Sequence, residues 1–188
     1  MKEVKIIKKG YLFILLVVYL AGLVYFMFFG FGRSQLAQIH EYRYWLIPDQ
    51  IPLWLPRSFS IETIKLWIFA LGNLLTFVPF GLLVPMVFKK QIKTFFNFII
   101  LFVFFIFCME FMQMVTYLGS FDVTDIMVNT MGATIGFCSY KVSERMNASR
   151  KKLVFIGLTI VGLSLFMFLI ARVYNNKITP YIENIFGL

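Results

Sequence analysis

From Gly10 to Phe31 the chain runs 22 residues without a charged side chain. Coiled as a helix at about 1.5 Å per residue, such a run covers the roughly 30 Å hydrocarbon core of a bilayer. Comparable runs recur over about 66–88, 95–117, 122–140 and 153–171. The spacing predicts an all-α chain, one membrane domain over residues 1–188, folded as a polytopic helical bundle of about five transmembrane helices. Composition agrees, because 60% of the residues are hydrophobic and 14% charged, whereas soluble domains are nearer about 45–50% apolar. The first run follows the basic segment MKEVKIIKK and leads into FGRSQ, with no A-x-A-like cleavage site. It also exceeds the roughly 7–15 residues of a signal peptide's apolar region, so it is read as an uncleaved span.

The basic residues orient this bundle. Lys2, Lys5, Lys8, Lys9, Lys89, Lys90, Lys93, Lys141, Arg145, Arg150, Lys151 and Lys152 fall on one side of the alternating spans, and Arg33, Arg43, Arg57, Lys65, Arg172 and Lys177 on the other. Loops rich in Lys and Arg stay in the cytoplasm, which places the N-terminus inside and the C-terminus outside a cell membrane crossed several times. The formal net charge of +9 thus serves orientation in the lipid bilayer, and no nucleic-acid partner is implied.

The only long connection, about 32–65, is rich in Trp and Pro. Ser34 followed by Leu36, Ile39, Arg43 and Leu46 at helical spacing suggests a short amphipathic helix. The PDQIPLWLP stretch after it excludes a regular helix, since its prolines remove donors and clash with preceding carbonyls. An interfacial or partly inserted loop is expected, against the alternative of a solvated linker. Arg172 to Leu188 are expected to form a short tail.

Against this apolar background the stretch from Phe107 to Phe137 stands apart. Glu110 and Gln113 lie on one side of the turn Leu118-Gly119-Ser120-Phe121, and Asp122, Asp125 and Asn129 on the other. An ionisable group at a membrane-helix centre costs about 2.5–3.5 kcal/mol on insertion scales, so such a cluster points to function. Glu110 and Asn129 are equally far from the turn, about 12–15 Å down their helices. Asp122, Asp125 and Asn129 share one helical face at i, i+3 and i+7. Asn73, from a further helix, reaches a similar depth, so the Glu110 carboxyl group is expected between the amides of Asn73 and Asn129. Gly132 and Gly136 let another helix approach closely. Interhelical hydrogen bonding alone explains buried amides, but not three carboxylates with no cation among them. Arg43 or Arg57 of the long loop is expected to supply that cation from above, closing the loop over the pocket.

Other chemistries have little to build on. His40 is the single histidine, which disfavours a zinc site or a Ser/His/Asp triad, and Cys108 and Cys138 lie inside apolar runs, too few for a disulfide or metal framework. No cofactor and no resident metal are expected.

The segments GNLLTFVPFGLLVP (Gly72 to Pro85) and MEFMQ with GSFDVTDIMVNTMGATIG (Met109 to Gly136) resemble the VanZ-like family of small membrane proteins. Asn73, Phe77, Pro79 and Gly81 match its N-x-x-x-F-x-P-x-G block, Glu110 and Gln113 its E-x-x-Q block, and Asp122, Asp125, Asn129 and Gly132 its D-x-x-D-x-x-x-N-x-x-G block. The resemblance centres on about 72–137, while the first helix, the long loop and the fifth helix add nothing to it. Where members often carry a basic residue in the turn and an acidic one further on, this chain has Gly119-Ser120 and Thr124. The family is named for a protein linked to resistance to the glycopeptide antibiotic teicoplanin.

Three functions compete. The first is a non-enzymatic protein whose outward polar pocket of Asn73, Glu110, Gln113, Asp122, Asp125 and Asn129 binds an amphiphile, such as a lipid-linked cell-wall precursor, a lipid or a lipoglycopeptide. The second is a membrane enzyme acting on a lipid-linked substrate, with Glu110 or Asp125 as general acid or base and a divalent cation held by Asp122, Asp125 and Asn129. Proton-coupled transport through the carboxylates ranks third, since no internal repeat is present.

Overall fold

A computed structural model describes residues 2–30, 33, 38, 40–48, 50–54, 60–145 and 149–187, with side chains at all of these except 2–9, 66, 69 and 149–152. The described elements are helices α1 (Lys2–Phe29), α2 (Ile61–Thr76), α3 (Val78–Val87), α4 (Phe95–Val115), α5 (Val123–Glu144), α6 (Ser149–Val173) and α7 (Thr179–Phe186), with two short strands, β1 (Tyr44–Trp45) and β2 (Phe121–Asp122). A π-helical turn, Tyr174–Ile178, joins α6 to α7.

Four segments are long and apolar enough to cross a membrane: Gly10–Phe29, Ile61–Val87, Phe95–Val115 and Leu153–Phe186. These correspond to four of the five expected spans. The remaining one, α5, falls short in apolarity because it carries Asp125, Asn129, Ser139 and several threonines and glycines. Its surroundings explain how it can do so. It packs against α2, α3, α4 and α6, so its side chains meet protein rather than lipid.

Pro79 divides the second span. Its ring clashes with the carbonyl one turn back and it donates no amide hydrogen, so α2 stops at Thr76, Phe77 forms a turn, and α3 begins with the proline in its first turn. A broken membrane helix must find partners for its freed carbonyls, and the Tyr19 hydroxyl of α1 donates to the Thr76 carbonyl at 2.7 Å.

Two apolar clusters hold the bundle. In one, Leu16 and Leu23 of α1 meet Phe77, Phe80, Phe98, Phe102 and Phe137. Phe98 stacks on Phe137 with centroids 4.6 Å apart, and Phe80 sits edge-on to Phe102 at 5.1 Å. The other cluster joins Leu74, Val78, Val128, Ile135, Met167 and Ala171 to Ile51 and Leu53 of the long loop. Around Ile51 and Leu53 the loop is therefore packed into the bundle. The short amphipathic helix expected in its first part does not continue through Arg43 and Leu46: the backbone has positive φ at His40 and is a strand at Tyr44–Trp45. Ser34, Leu36 and Ile39 lie outside the described residues.

The expected C-terminal tail is instead helical and docked. Ile51, between Pro48 and Pro52, belongs to no regular element, yet it is buried. The Asn175 side chain pairs both backbone groups, accepting from the Ile51 amide at 2.8 Å and donating at 2.9 Å to the Ile51 carbonyl, which also accepts from the Leu53 amide.

Candidate polar site at the helical turn

The site forms where α4 ends and α5 begins. Tyr117 adopts a left-handed backbone with φ of 59°, which turns the chain out of α4, and the Gly119 amide donates back to the Gln113 carbonyl. A Cβ at Gly119 would displace the Arg33 guanidinium and crowd the Gln113 side chain. Asp122 then caps α5, accepting from the Thr124 amide at 2.7 Å.

The long loop lies over this turn. Strand β1 pairs in parallel with β2, Tyr44 opposite Phe121 and Trp45 opposite Asp122, and the Phe121 amide donates to the Arg43 carbonyl at 2.9 Å. Beneath the pairing, Trp45, Ile47, Asp122 and Thr124 line a cavity of about 190 Å³.

The six expected site residues have different surroundings. Glu110, Gln113 and Asn129 are 2%, 2% and 4% exposed. The Gln113 amide donates to the Met27 carbonyl at 2.8 Å, which fastens α4 to the last turn of α1, where carbonyls have no intrahelical partner. Asn73 is exposed and donates to Asp125 Oδ1 at 3.3 Å. Glu110 Oε2 and Asn129 Oδ1 are buried without a hydrogen-bond partner. The expected arrangement with Glu110 between two amides is thus not the observed one. Asp125, one turn nearer the surface than Asn129, meets Asn73 first.

The groups acting on the Glu110 carboxyl group are Asp125, Arg33, Asp122 and the Asp122 backbone, and those acting on Asp125 are Asp122, Arg33 and Asn73. The cation of the cluster is therefore Arg33, which also donates to the Leu118 carbonyl at 3.3 Å. The expectation placed Arg43 or Arg57 here. Arg43 forms no ion pair with either aspartate, and its Nη2 is buried without a partner, while Arg57 lies outside the described residues. The loop covers the turn through backbone pairing, not through those arginines. Arg33 was legible only as the basic residue two positions beyond the first apolar run, which puts it level with the turn.

Among the described residues the arrangement offers an electrostatically unbalanced pocket, three carboxyl groups to the Arg33 guanidinium, under an aromatic and aliphatic cover. Among the described residues no three Asp, Glu, His or Cys side chains come together to hold a metal ion. Asp122, one of the ligands such an ion would need, is occupied as a helix cap.

At the opposite end of the bundle a separate network forms. Glu144 pairs with Lys89, accepts from Lys141 at 3.2 Å and from the Tyr140 hydroxyl at 3.1 Å. The Lys89 ammonium holds its carboxyl group down at about 2, against an opposing contribution from burial, and Lys141 and Tyr140 add to the lowering.

No curated protein and no solved structure matches this chain. The family model described as VanZ/LLP1 matches residues 13–144. That range reaches beyond 72–137 on both sides, taking in α1 with Met27, Arg33 and β1, the parts that close over the polar turn. The three polar blocks and the elements that enclose them thus fall within one family pattern covering most of the chain, which is a member of the VanZ/LLP1 family of membrane proteins.

Proposed function

We propose that this chain is a non-enzymatic membrane protein whose polar pocket at the α4–α5 turn faces outward and binds the polar part of an amphiphile of the cell envelope. The observation that carries this reading is Glu110: a carboxyl group 2% exposed, with one oxygen unpartnered, facing Asp122, Asp125 and, among the described residues, Arg33. A residue kept only to join helices would have its polar atoms satisfied, as Gln113 does. A hydrogen-bonding ligand reaching Glu110 and Asp125 would complete the set. Lipids and lipoglycopeptides without an anionic head have the required amphiphilic chemistry, and an influence on teicoplanin-type glycopeptide susceptibility fits an occupant of this kind.

The outward siting follows from the distribution of basic residues, which leaves the turn and the long loop on the side poorer in Lys and Arg. The test is a comparison of glycopeptide susceptibility in cells making the intact chain, Glu110→Gln or Asp125→Asn at equal membrane levels. Loss of the susceptibility difference in both variants is expected. Full retention in both would overturn the reading.

A further inference from the structure

A second cavity, of about 660 Å³, opens beside the polar pocket. Its walls are Tyr44, Trp45, Leu46, Ile47 and Pro48 of the loop and Thr179, Ile182 and Glu183 of α7. Trp45 and Ile47 also line the smaller cavity at Asp122, so the two spaces share a wall. Its volume falls within the roughly 300–1,000 Å³ of small-molecule sites, and most of its lining is apolar.

Three further features define its occupant. The apolar segment Leu153–Phe186 has 34 residues, more than the roughly 20 a helix needs to span the hydrocarbon core, so its last third leaves the core at the interface. There α7 turns Tyr181, Ile185 and Phe186 outward, all more than half exposed, which lays the helix against the lipid beside the cavity. Second, Thr179 is 2% exposed and its hydroxyl oxygen has no hydrogen-bond partner, an unpaired polar atom in a mostly apolar wall. Third, the adjoining polar pocket is acidic, with Glu110, Asp122 and Asp125 against Arg33, and Glu183 adds a carboxylate to the cavity itself.

We propose that this cavity holds one acyl chain of an amphiphile, with the carbonyl of its linkage accepting from the Thr179 hydroxyl and an uncharged or cationic head lying over Asp122. The proposal rests on the polar pocket being a binding site and adds the class of molecule bound: single-chain occupancy, an amide or ester linkage, and no anionic head. The hydrocarbon chain enters sideways from the outer leaflet, past α7.

The test uses the full-length protein in lipid nanodiscs and two probes, N-palmitoyl ethylenediamine and N-palmitoyl taurine, each with a photoactivatable diazirine on its chain. They share chain and amide and differ in head charge. Photolabelling by the amine probe is expected at Leu46–Pro48 and Ile182, about tenfold above that of the taurine probe. Ile182→Trp fills the cavity and Thr179→Val removes the hydroxyl at nearly constant shape. The first should cut cavity labelling about tenfold and the second several-fold, while labelling of the lipid-exposed Leu158 and Leu165 stays unchanged. Labelling of the cavity no stronger than that of Leu158 and Leu165, equal labelling by both probes, or labelling that persists in Ile182→Trp would overturn the proposal. An unlabelled cavity with Glu110→Gln still abolishing the susceptibility difference rejects the chain site alone. A labelled cavity with Glu110→Gln fully active upholds the chain site and rejects the polar-pocket reading.

Discussion

Ile51 shows how a single side chain replaces a missing secondary structure. Its amide and carbonyl are buried where prolines forbid a helix; the carbonyl also accepts from the Leu53 amide at 2.8 Å, but the amide has Asn175 as its partner, and leaving it unpaired would cost about 1–3 kcal/mol. Asn175 is suited to both because its amide carries a donor and an acceptor side by side. Asn175→Ala is expected to destabilise the protein by about 1–3 kcal/mol, read as a lower thermal midpoint in detergent. Asn175→Asp keeps the acceptor for the Ile51 amide and loses the donor, so its midpoint should fall between the two. Glu110 poses the converse case, a buried group with too few partners. Glu110→Gln is nearly isosteric and should leave the amount of folded protein in the membrane unchanged while weakening amphiphile binding by about tenfold or more. Glu110→Leu should lower both, since it also removes the polar atom facing Arg33 and the Asp122 backbone. Normal binding by Glu110→Gln at normal protein levels would mean that the carboxyl group is not what the pocket requires.

Between elements, the closest approach is that of α5 to the broken pair α2 and α3. A Cβ on Gly132 would overlap the Leu74 carbonyl, one on Gly136 the Val78 carbonyl, and one on Gly81 the Ala133 carbonyl. These are backbone atoms and cannot swing aside. Gly132→Ala and Gly136→Ala should each destabilise by about 1–3 kcal/mol, with overpacking outweighing the gain in helix propensity. Gly72→Ala is the internal control, since nothing lies within 4 Å of its Cβ. It should be neutral or slightly stabilising, by up to about 1 kcal/mol. Equal midpoints for Gly72→Ala and Gly136→Ala would contradict the backbone contact. At the far end of α5, Glu144 links that helix to the start of the α3–α4 connection. Its carboxyl group is held at about 2, below its ordinary 4.5. A depressed carboxylate stabilises the fold fully above its unfolded value and loses that contribution as pH falls through the folded one. The midpoint of the native protein should therefore drop between about pH 4.5 and pH 2 by more than that of Glu144→Gln. Parallel curves for the two proteins over that interval would show that the pair with Lys89 does not matter to stability.

At the scale of the whole molecule, what the sequence made legible was what repeats or what breaks a repeat. Uninterrupted apolar runs located the helices, and polar residues in apolar surroundings marked the turn. Gly132 and Gly136 were readable because their spacing puts both on one helix face. What escaped were single contacts between distant segments, which leave no period: Arg33 with the turn, Asn175 with Ile51, and the extended pairing of β1 with β2. Those same contacts sort the bundle into two ends. The loop from α1 to α2, the turn from α4 to α5 and the C-terminal helix meet at one end through Phe121, Ile51 and Asn175. The connection from α3 to α4 and the C-terminal end of α5 meet at the other, through Lys89 and Glu144. Helix α5 joins the two ends, and its 22 residues rise about 33 Å, enough to cross the hydrocarbon core despite their modest apolarity. We propose five crossings with the N-terminus in the cytoplasm, a reading supported by that arrangement and by the bias in basic residues. With Cys108 and Cys138 replaced by serine, a membrane-impermeant maleimide added outside intact cells should label Ser120→Cys and Asn184→Cys, and should reach Ser149→Cys only after permeabilisation. If α5 did not cross, Ser149→Cys would label from outside and Asn184→Cys would not. Were Ser120→Cys protected while Ser149→Cys reacted, the bundle would be inverted and the polar pocket would open to the cytoplasm, where no envelope amphiphile of the outer leaflet could enter it.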